Sequence, residues 1–144
     1  MKQIVLTGIR QMSMQHVREP EITNPGEVKI KLASIGVCGS DIHYYSEGKI
    51  GSQVVQYPFA VGHECSGVVV EKGKDVTNVE IGDLVVIDPA VHCGECDQCL
   101  AGRPHTCRNN RFLGCPGQLE GCLGEYIVMP AFTCFPVTGK LNPV

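Results

Sequence analysis

Alternation of apolar and polar residues is cleanest over Glu27–Ser34. Val28, Ile30 and Leu32 fall on one face there, and Glu27, Lys29 and Lys31 on the other. That period of two predicts a half-buried antiparallel strand. Met1–Val17 reads as two short strands around Thr7 and Gly8, the second alternating weakly at Met12, Met14 and His16. Val61–Val70 is a valine-rich strand in which Gly62 and Gly67 mark close backbone approach. Leu84–Ile87 is a continuous apolar strand after the Gly82-Asp83 turn, and Glu125–Met129 and Thr133–Val137 add two more around Pro130. Helical signal is scarce. Gly36–Gly39 breaks the strand begun at Glu27, and Ser40 is placed to cap a helical turn through Tyr44 or Tyr45, which sets Asp41, His43 and Tyr44 close together. Many short strands divided by glycine and proline predict a small, mainly β barrel with short helical turns.

At 144 residues the chain is long enough for one core, and residues 1–144 read as one domain. A net charge of −3 without a basic stripe speaks against nucleic acid as a partner. The apolar stretch after Met1 is too short for a secretory segment, and no run of about twenty apolar residues suggests a membrane span. The expected location is the cytoplasm. Nine cysteines, an odd number, then suggest metal ligation before a disulfide framework.

Four of them form Cys93-x2-Cys96-x2-Cys99-x7-Cys107, in a lobe of its own over residues 92–108. Four thiolates at such spacing can close a tetrahedral shell with no free position, which makes a zinc ion there structural. Its binding energy is then folding energy for the lobe. An iron–sulfur cluster and unligated thiols are the rival readings. His92 and His105 flank the lobe, but four cysteines leave them no vacancy. Cys65, Cys115, Cys122 and Cys134 are most simply small core residues.

A second constellation draws on Gly36-Val37-Cys38-Gly39-Ser40-Asp41-Ile42-His43 and Gly62-His63-Glu64-Cys65-Ser66-Gly67. Cys38 and His63 supply two of the three protein ligands that a catalytic zinc site uses while its fourth position stays open. Asp41 can orient the imidazole by accepting its second N–H, and Ser40 and His43 can carry a proton away from a bound hydroxyl. The plain alternatives are a core cysteine, a structural histidine, an exposed His43 and a carboxylate that merely starts a helix.

These motifs resemble the medium-chain, zinc-dependent alcohol and polyol dehydrogenase family. Gly-His-Glu with Gly67, Gly73 and Val76 is similar to its zinc signature, and CGSDIHYYSEGKIG looks most like the sorbitol and xylitol dehydrogenase branch. The resemblance covers essentially the whole chain. It implies a GroES-like, partly open β-barrel that forms a catalytic domain, a structural zinc on the four-cysteine lobe, and a catalytic zinc. Such a metal lowers the pKa of a polyol hydroxyl, and hydride passes to NAD. Ser40 would take the hydroxyl proton and pass it through the cofactor ribose to His43. Glu64 would sit beside the metal, against the bland reading of a buried carboxylate paired elsewhere, and Tyr44 would line the substrate pocket. Gly39 stands where some alcohol dehydrogenases place a basic residue near the cofactor pyrophosphate, which agrees with the polyol and threonine branches.

Two family features are absent from this sequence. No strand–GxGxxG–helix unit occurs, since Gly114, Gly117, Gly121 and Gly124 lie in a loop context. The family's third catalytic ligand falls beyond Val144. The expectation is therefore a catalytic-domain fragment, inactive alone, of an enzyme about twice this length or more and homo-oligomeric when whole. L-Threonine, butanediol and galactitol-phosphate dehydrogenases are same-family alternatives, and a free-standing zinc-binding or GroES-like module is the non-catalytic one. NAD against NADP stays open.

Overall fold

A computed structural model of the chain describes residues 1–137. The hairpin β1 (Lys2–Gly8) and β2 (Gln11–His16) leads to the central strand β3 (Glu27–Ile35) and helix α1 (Gly39–Glu47). Two short strands, β4 (Lys49–Ile50) and β5 (Gln53–Val54), precede β6 (Cys65–Lys72) and β7 (Leu84–Ile87). Next come β8 (Ala90–Val91), helix α2 (Asp97–Leu100), β9 (Arg111–Phe112), β10 (Tyr126–Pro130) and β11 (Cys134–Pro136). The main sheet has the order β10-β3-β6-β7-β11 and is antiparallel throughout. The β1-β2, β4-β5 and β8-β9 pairs form separate two-stranded ribbons, so the barrel is partly open, as expected.

Period-two patterning builds this sheet. Val28 and Ile30 are fully buried and face Met129 and Ile127 on one side and Lys72 and Val69 on the other. Their charged neighbours Lys29 and Lys31 point away, and Lys29 pairs with Glu19 at 2.8 Å. Val69, Val79, Val85, Leu113, Cys122 and Cys134 complete this core. A second cluster of Leu6, Tyr44, Val55, Phe59 and Val61 anchors α1. Leu6 and Phe59 exchange backbone hydrogen bonds of 2.8 and 3.1 Å, which ties the hairpin to the rest.

Four elements differ from the sequence-based expectation. α1 runs through Glu47 and stops where Gly48 adopts φ +71° and donates its N–H to Tyr44. Its N-cap is Cys38, not Ser40, because Asp41 reaches back to accept the Cys38 N–H at 2.9 Å. The valine-rich strand begins at Cys65, since Gly62 at φ +98° turns Val61 and Gly62 to pair with Leu123 and Cys122. The methionine face of β2 is exposed, because the burial in that hairpin comes from Val5 and Leu6 of β1. The last strand starts at Cys134, after a 3-10 turn over Ala131–Thr133. No helix among the described residues is long and apolar enough to cross a membrane.

Gly67 is a close-approach glycine as anticipated. A Cβ there would lie 2.3 Å from the Lys31 carbonyl oxygen and 2.8 Å from Ile30 Cγ2. Gly67→Ala is therefore expected to cost ~1–3 kcal/mol in urea denaturation. Gly39→Ala, whose Cβ meets nothing within 4 Å, should stay within about 0.5 kcal/mol of the parent.

Candidate metal centre and cleft

Strand pairing brings the two motifs together. β3 and β6 run antiparallel and end their ladder at Ile35 opposite Cys65. One step on, the Gly36 N–H donates to the Glu64 carbonyl at 2.6 Å. Cys38 lies three residues past the end of β3, and His63 two residues before the start of β6, so both project from the same end of the sheet. The donor atoms of Cys38, His63 and Glu64 lie within 4.8 Å of one another. A tetrahedral zinc shell built with sulfur, nitrogen and oxygen donors has edges of ~3.3–3.8 Å. Modest side-chain rotation closes the trio to that size, so the donor set fits one zinc ion with a position left over. Glu64 is exposed and forms no salt bridge among the described residues, unlike the buried, paired carboxylate of the bland reading.

Asp41 is the buried hub, 6% exposed. One carboxylate oxygen accepts the Cys38 N–H at 2.9 Å and the other the Gly62 N–H at 3.1 Å. It thus ties the residue bearing the thiol to the residue preceding the imidazole. His63 Nδ1 stands 3.7 Å from Asp41 Oδ1, an ion-pair separation longer than a hydrogen bond. With Nδ1 turned to the carboxylate, Nε2 is the nitrogen free for a metal. The His63 ring also packs on Phe112, with centroids 5.5 Å apart.

Asp41, His43 and Tyr44 do not cluster as expected. Successive helix positions send Asp41 and Tyr44 inward and His43 outward, where its Nδ1 lies 3.4 Å from Glu47 of the next turn. Ser40 lines the metal-side cleft, so the proposed proton carriers occupy the inner and outer faces of one helix turn.

That cleft, about 480 Å³, borders His63 and is walled by Ser40, Tyr44, Gln53, Asn110, Phe112 and Gln118, among others. The Tyr44 hydroxyl donates to Gln53 Oε1 at 2.8 Å. Burial, helped by neighbouring Cys115 and the Asp41 charge, pushes the Tyr44 phenol up to about 12. It is a fixed donor at neutral pH. Sequence reasoning found Tyr44 but missed Gln53, Asn110, Phe112 and Gln118; Cys115 is buried, as expected of a core residue, and also borders the cleft. Only the fold reveals them, because they arrive on β5 and on the loops around β9.

In the lobe, Cys93, Cys96, Cys99 and Cys107 converge. Neighbouring sulfurs stand 3.5 Å (Cys93–Cys107), 3.6 Å (Cys96–Cys99), 3.9 Å (Cys96–Cys107) and 4.0 Å (Cys93–Cys99) apart. A tetrahedral shell with Zn–S near 2.3 Å has edges of ~3.8 Å. The spacing fits a single ion, not a cluster whose thiolates must stand outside several irons. Backbone N–H donors from Arg108 and Cys99 lower the Cys96 thiol to about 6, while burial and the Cys96 sulfur raise Cys99 to about 12. A bidentate pair from Arg108 to Asp97, 2.6 and 2.9 Å, holds the Asp97 carboxyl down at about 2 and braces the lobe. His92 stacks on Phe132 at 4.2 Å and His105 is exposed in a 3-10 turn, so neither joins the four sulfurs. Cys65, Cys122 and Cys134 are buried. Hydrogen bonding with Cys122 and burial push the Cys65 thiol far up, and burial lifts Cys134 to about 11, as suits core fillers.

Asp41→Ala would leave two backbone N–H donors without their acceptor. It is expected to cost ~2–4 kcal/mol in chemical denaturation, with Asp41→Asn costing less because one acceptor survives. The raised Tyr44 phenol has a signed consequence. Between its ordinary value of 10.0 and about 12 the folded chain holds a proton that the unfolded chain has lost, so stability falls as pH rises through that window. The difference in stability between the parent and Tyr44→Phe should shrink over the same window, measured by denaturation at successive pH values.

Comparison with known proteins agrees with this geometry. Residues 24–139 match the alcohol dehydrogenase GroES-like domain family. Sorbitol dehydrogenase of Bacillus subtilis is 40% identical over 142 residues, covering 99% of this chain and 40% of that protein. D-Xylulose reductase A of Aspergillus niger is 38% identical over 138 residues, covering 96% and 38%. The crystal structure of galactitol-1-phosphate dehydrogenase from Escherichia coli superimposes with a TM-score of 0.88 at 30% identity, covering 99% of this chain and 40% of that one. The chain thus spans about two fifths of the length of the relatives it matches. On its matched length and on the paired metal-ligand motifs, this chain belongs to the alcohol dehydrogenase GroES-like domain family.

Proposed function

We propose that residues 1–144 are the catalytic domain of a longer, zinc-dependent NAD(H) dehydrogenase that oxidises a secondary alcohol of a polyol to a ketone. The observation that carries this reading is a cysteine, histidine and glutamate trio whose His63 borders a cleft that neutral hydrogen-bonding groups help to wall. Cys38, His63 and Glu64 would hold the catalytic ion, and Cys93, Cys96, Cys99 and Cys107 a structural one. When bound, zinc supplies the Lewis acidity that eases deprotonation of a substrate hydroxyl, and NAD supplies the hydride acceptor.

The chain's own residues do the rest. Asp41 fixes both ligand-bearing segments and the ring of His63. Ser40, on the cleft, is placed to accept the hydroxyl proton, and His43, exposed one turn along, is placed to release it to solvent. Tyr44 and Gln53 present a donor–acceptor pair that suits a second hydroxyl of the substrate. Among the described residues no lysine or arginine lines this cleft. A phosphorylated polyol would call for one, and the zwitterionic head of threonine for a charged pair. The neutral wall favours a neutral polyol. Thiolate-rich ligation also suits the reducing cytoplasm.

Elemental analysis of protein purified under reducing conditions tests the metal assignment. Two zinc ions per chain are expected, one lost in Cys38→Ser and the other in Cys99→Ser. Retention of both in Cys38→Ser would sink the catalytic assignment, and iron in place of zinc would sink the structural one. For the substrate, the longer protein should turn over sorbitol or xylitol. Activity on threonine with none on any polyol would overturn that choice.

A further inference from the structure

We infer that Gly36 is a positioning residue for the metal centre: its missing side chain is what lets the Glu64 carboxylate stand beside Cys38 and His63. This rests on the reading of that trio as a metal site. A Cβ built on Gly36 would lie 2.5 Å from Glu64 Oε2, 3.0 Å from Glu64 Cβ and 3.5 Å from Glu64 Cδ. The Glu64 side chain therefore lies flat across Gly36 from its root to one carboxylate oxygen. The backbone adds a second restraint, since the Gly36 N–H donates to the Glu64 carbonyl at 2.6 Å. Glu64 cannot slide away from Gly36 without breaking that bond.

Conformation is not the reason for a glycine at this position. Gly36 is absent from the residues with positive φ, which include Gly48 and Gly62. An alanine would be permitted by the backbone and refused only by Glu64. The side chain of Glu64 is exposed, so it has room to swing into solvent when pushed. Such a move removes its oxygen from the trio while the sheet and the Cys38 and His63 donors stay in place. Gly36 thus governs how many protein donors the ion has, and so how much of its shell is open.

The test uses this chain, with zinc affinity read by competition with a chromogenic chelator and geometry read by the d–d absorption of bound cobalt(II). Gly36→Ala is expected to weaken metal binding at the Cys38 site about 10- to 100-fold and to shift the cobalt spectrum to that of Glu64→Ala. Metal at the four-cysteine lobe should be unchanged. The Gly36→Ala/Glu64→Ala double variant should bind like Glu64→Ala alone, since the carboxylate contact is gone and only the Cβ of residue 64, 3.0 Å away, must give by a few tenths of an ångström. An equal loss from Gly36→Ala in both backgrounds, or no loss in either, would overturn the inference. If Gly36→Ala alone fails to fold, recovery in the double variant supports the clash, and failure of both contradicts it. Uptake of the lobe metal only would refute the proposed catalytic site. Crystal structures of parent and Gly36→Ala still decide the inference in that case, by whether the Glu64 carboxylate stays beside Cys38 and His63 or leaves.

Discussion

The β3–β6 ladder is the constraint on which the candidate metal trio depends. Its last pair, Ile35 with Cys65, fixes where Cys38 and His63 emerge. Strand register is quantised, and a slip of one residue would turn Ile30 and Val69 out of the core and carry the ligand segments out of step. Two irregularities interrupt this ladder, one between Lys29 and Ile30 and one between Leu32 and Ser34, the second close to the site end. Gly67 lets the strands approach there, where any side chain would strike the Lys31 carbonyl. Asp41 then converts strand placement into atomic placement by accepting one N–H from each segment. Core packing, register and ligand geometry are one chain of causes.

The two metal centres sit at opposite ends of a physical scale. The candidate trio of Cys38, His63 and Glu64 stands at the end of a sheet whose core residues Val28, Ile30, Val69 and Val85 are fully buried. The lobe has no such support. None of its residues from His92 to Asn110 is buried, those of α2 included. Apart from the Asp97–Arg108 pair and a few turn hydrogen bonds, ligation is what can hold it. A closed shell of four sulfurs suits that structural task, and an open shell of mixed donors suits a site that must exchange partners.

How much of this was legible in the sequence follows the same division. The lobe was fully legible, because its ligands lie within fifteen residues and spacing alone brings them together. The alternation of Val28, Ile30 and Leu32 gave the central strand and its buried face, since period two needs no knowledge of partners. Cys38 and His63 were legible as a pair only through two motifs that resemble a family, because their proximity comes from strand pairing across the fold. The helix cap was misassigned to Ser40 since a carboxylate at Asp41 can reach back and do the capping from inside the helix. Gln53, Phe112 and Gln118 carried no local signal. They reach the cleft on short ribbons and loops whose composition resembles any turn, and their role exists only in three dimensions.

The cleft that borders His63 opens to solvent, and Glu64 is exposed. Beside it runs a surface that is unusually apolar for exposed protein: Val37 is 70% exposed, Ile42 54% and Met12 45%. These residues line a groove with Tyr45, Val61 and Leu123, on the far side of Asp41 from the polar wall. A contiguous apolar patch of this kind is a surface that other polypeptide can cover. The relatives are about two and a half times as long as this chain. Polypeptide seated on this face would bury Val37, Ile42 and Met12 and add cover to Asp41, which lines the same groove.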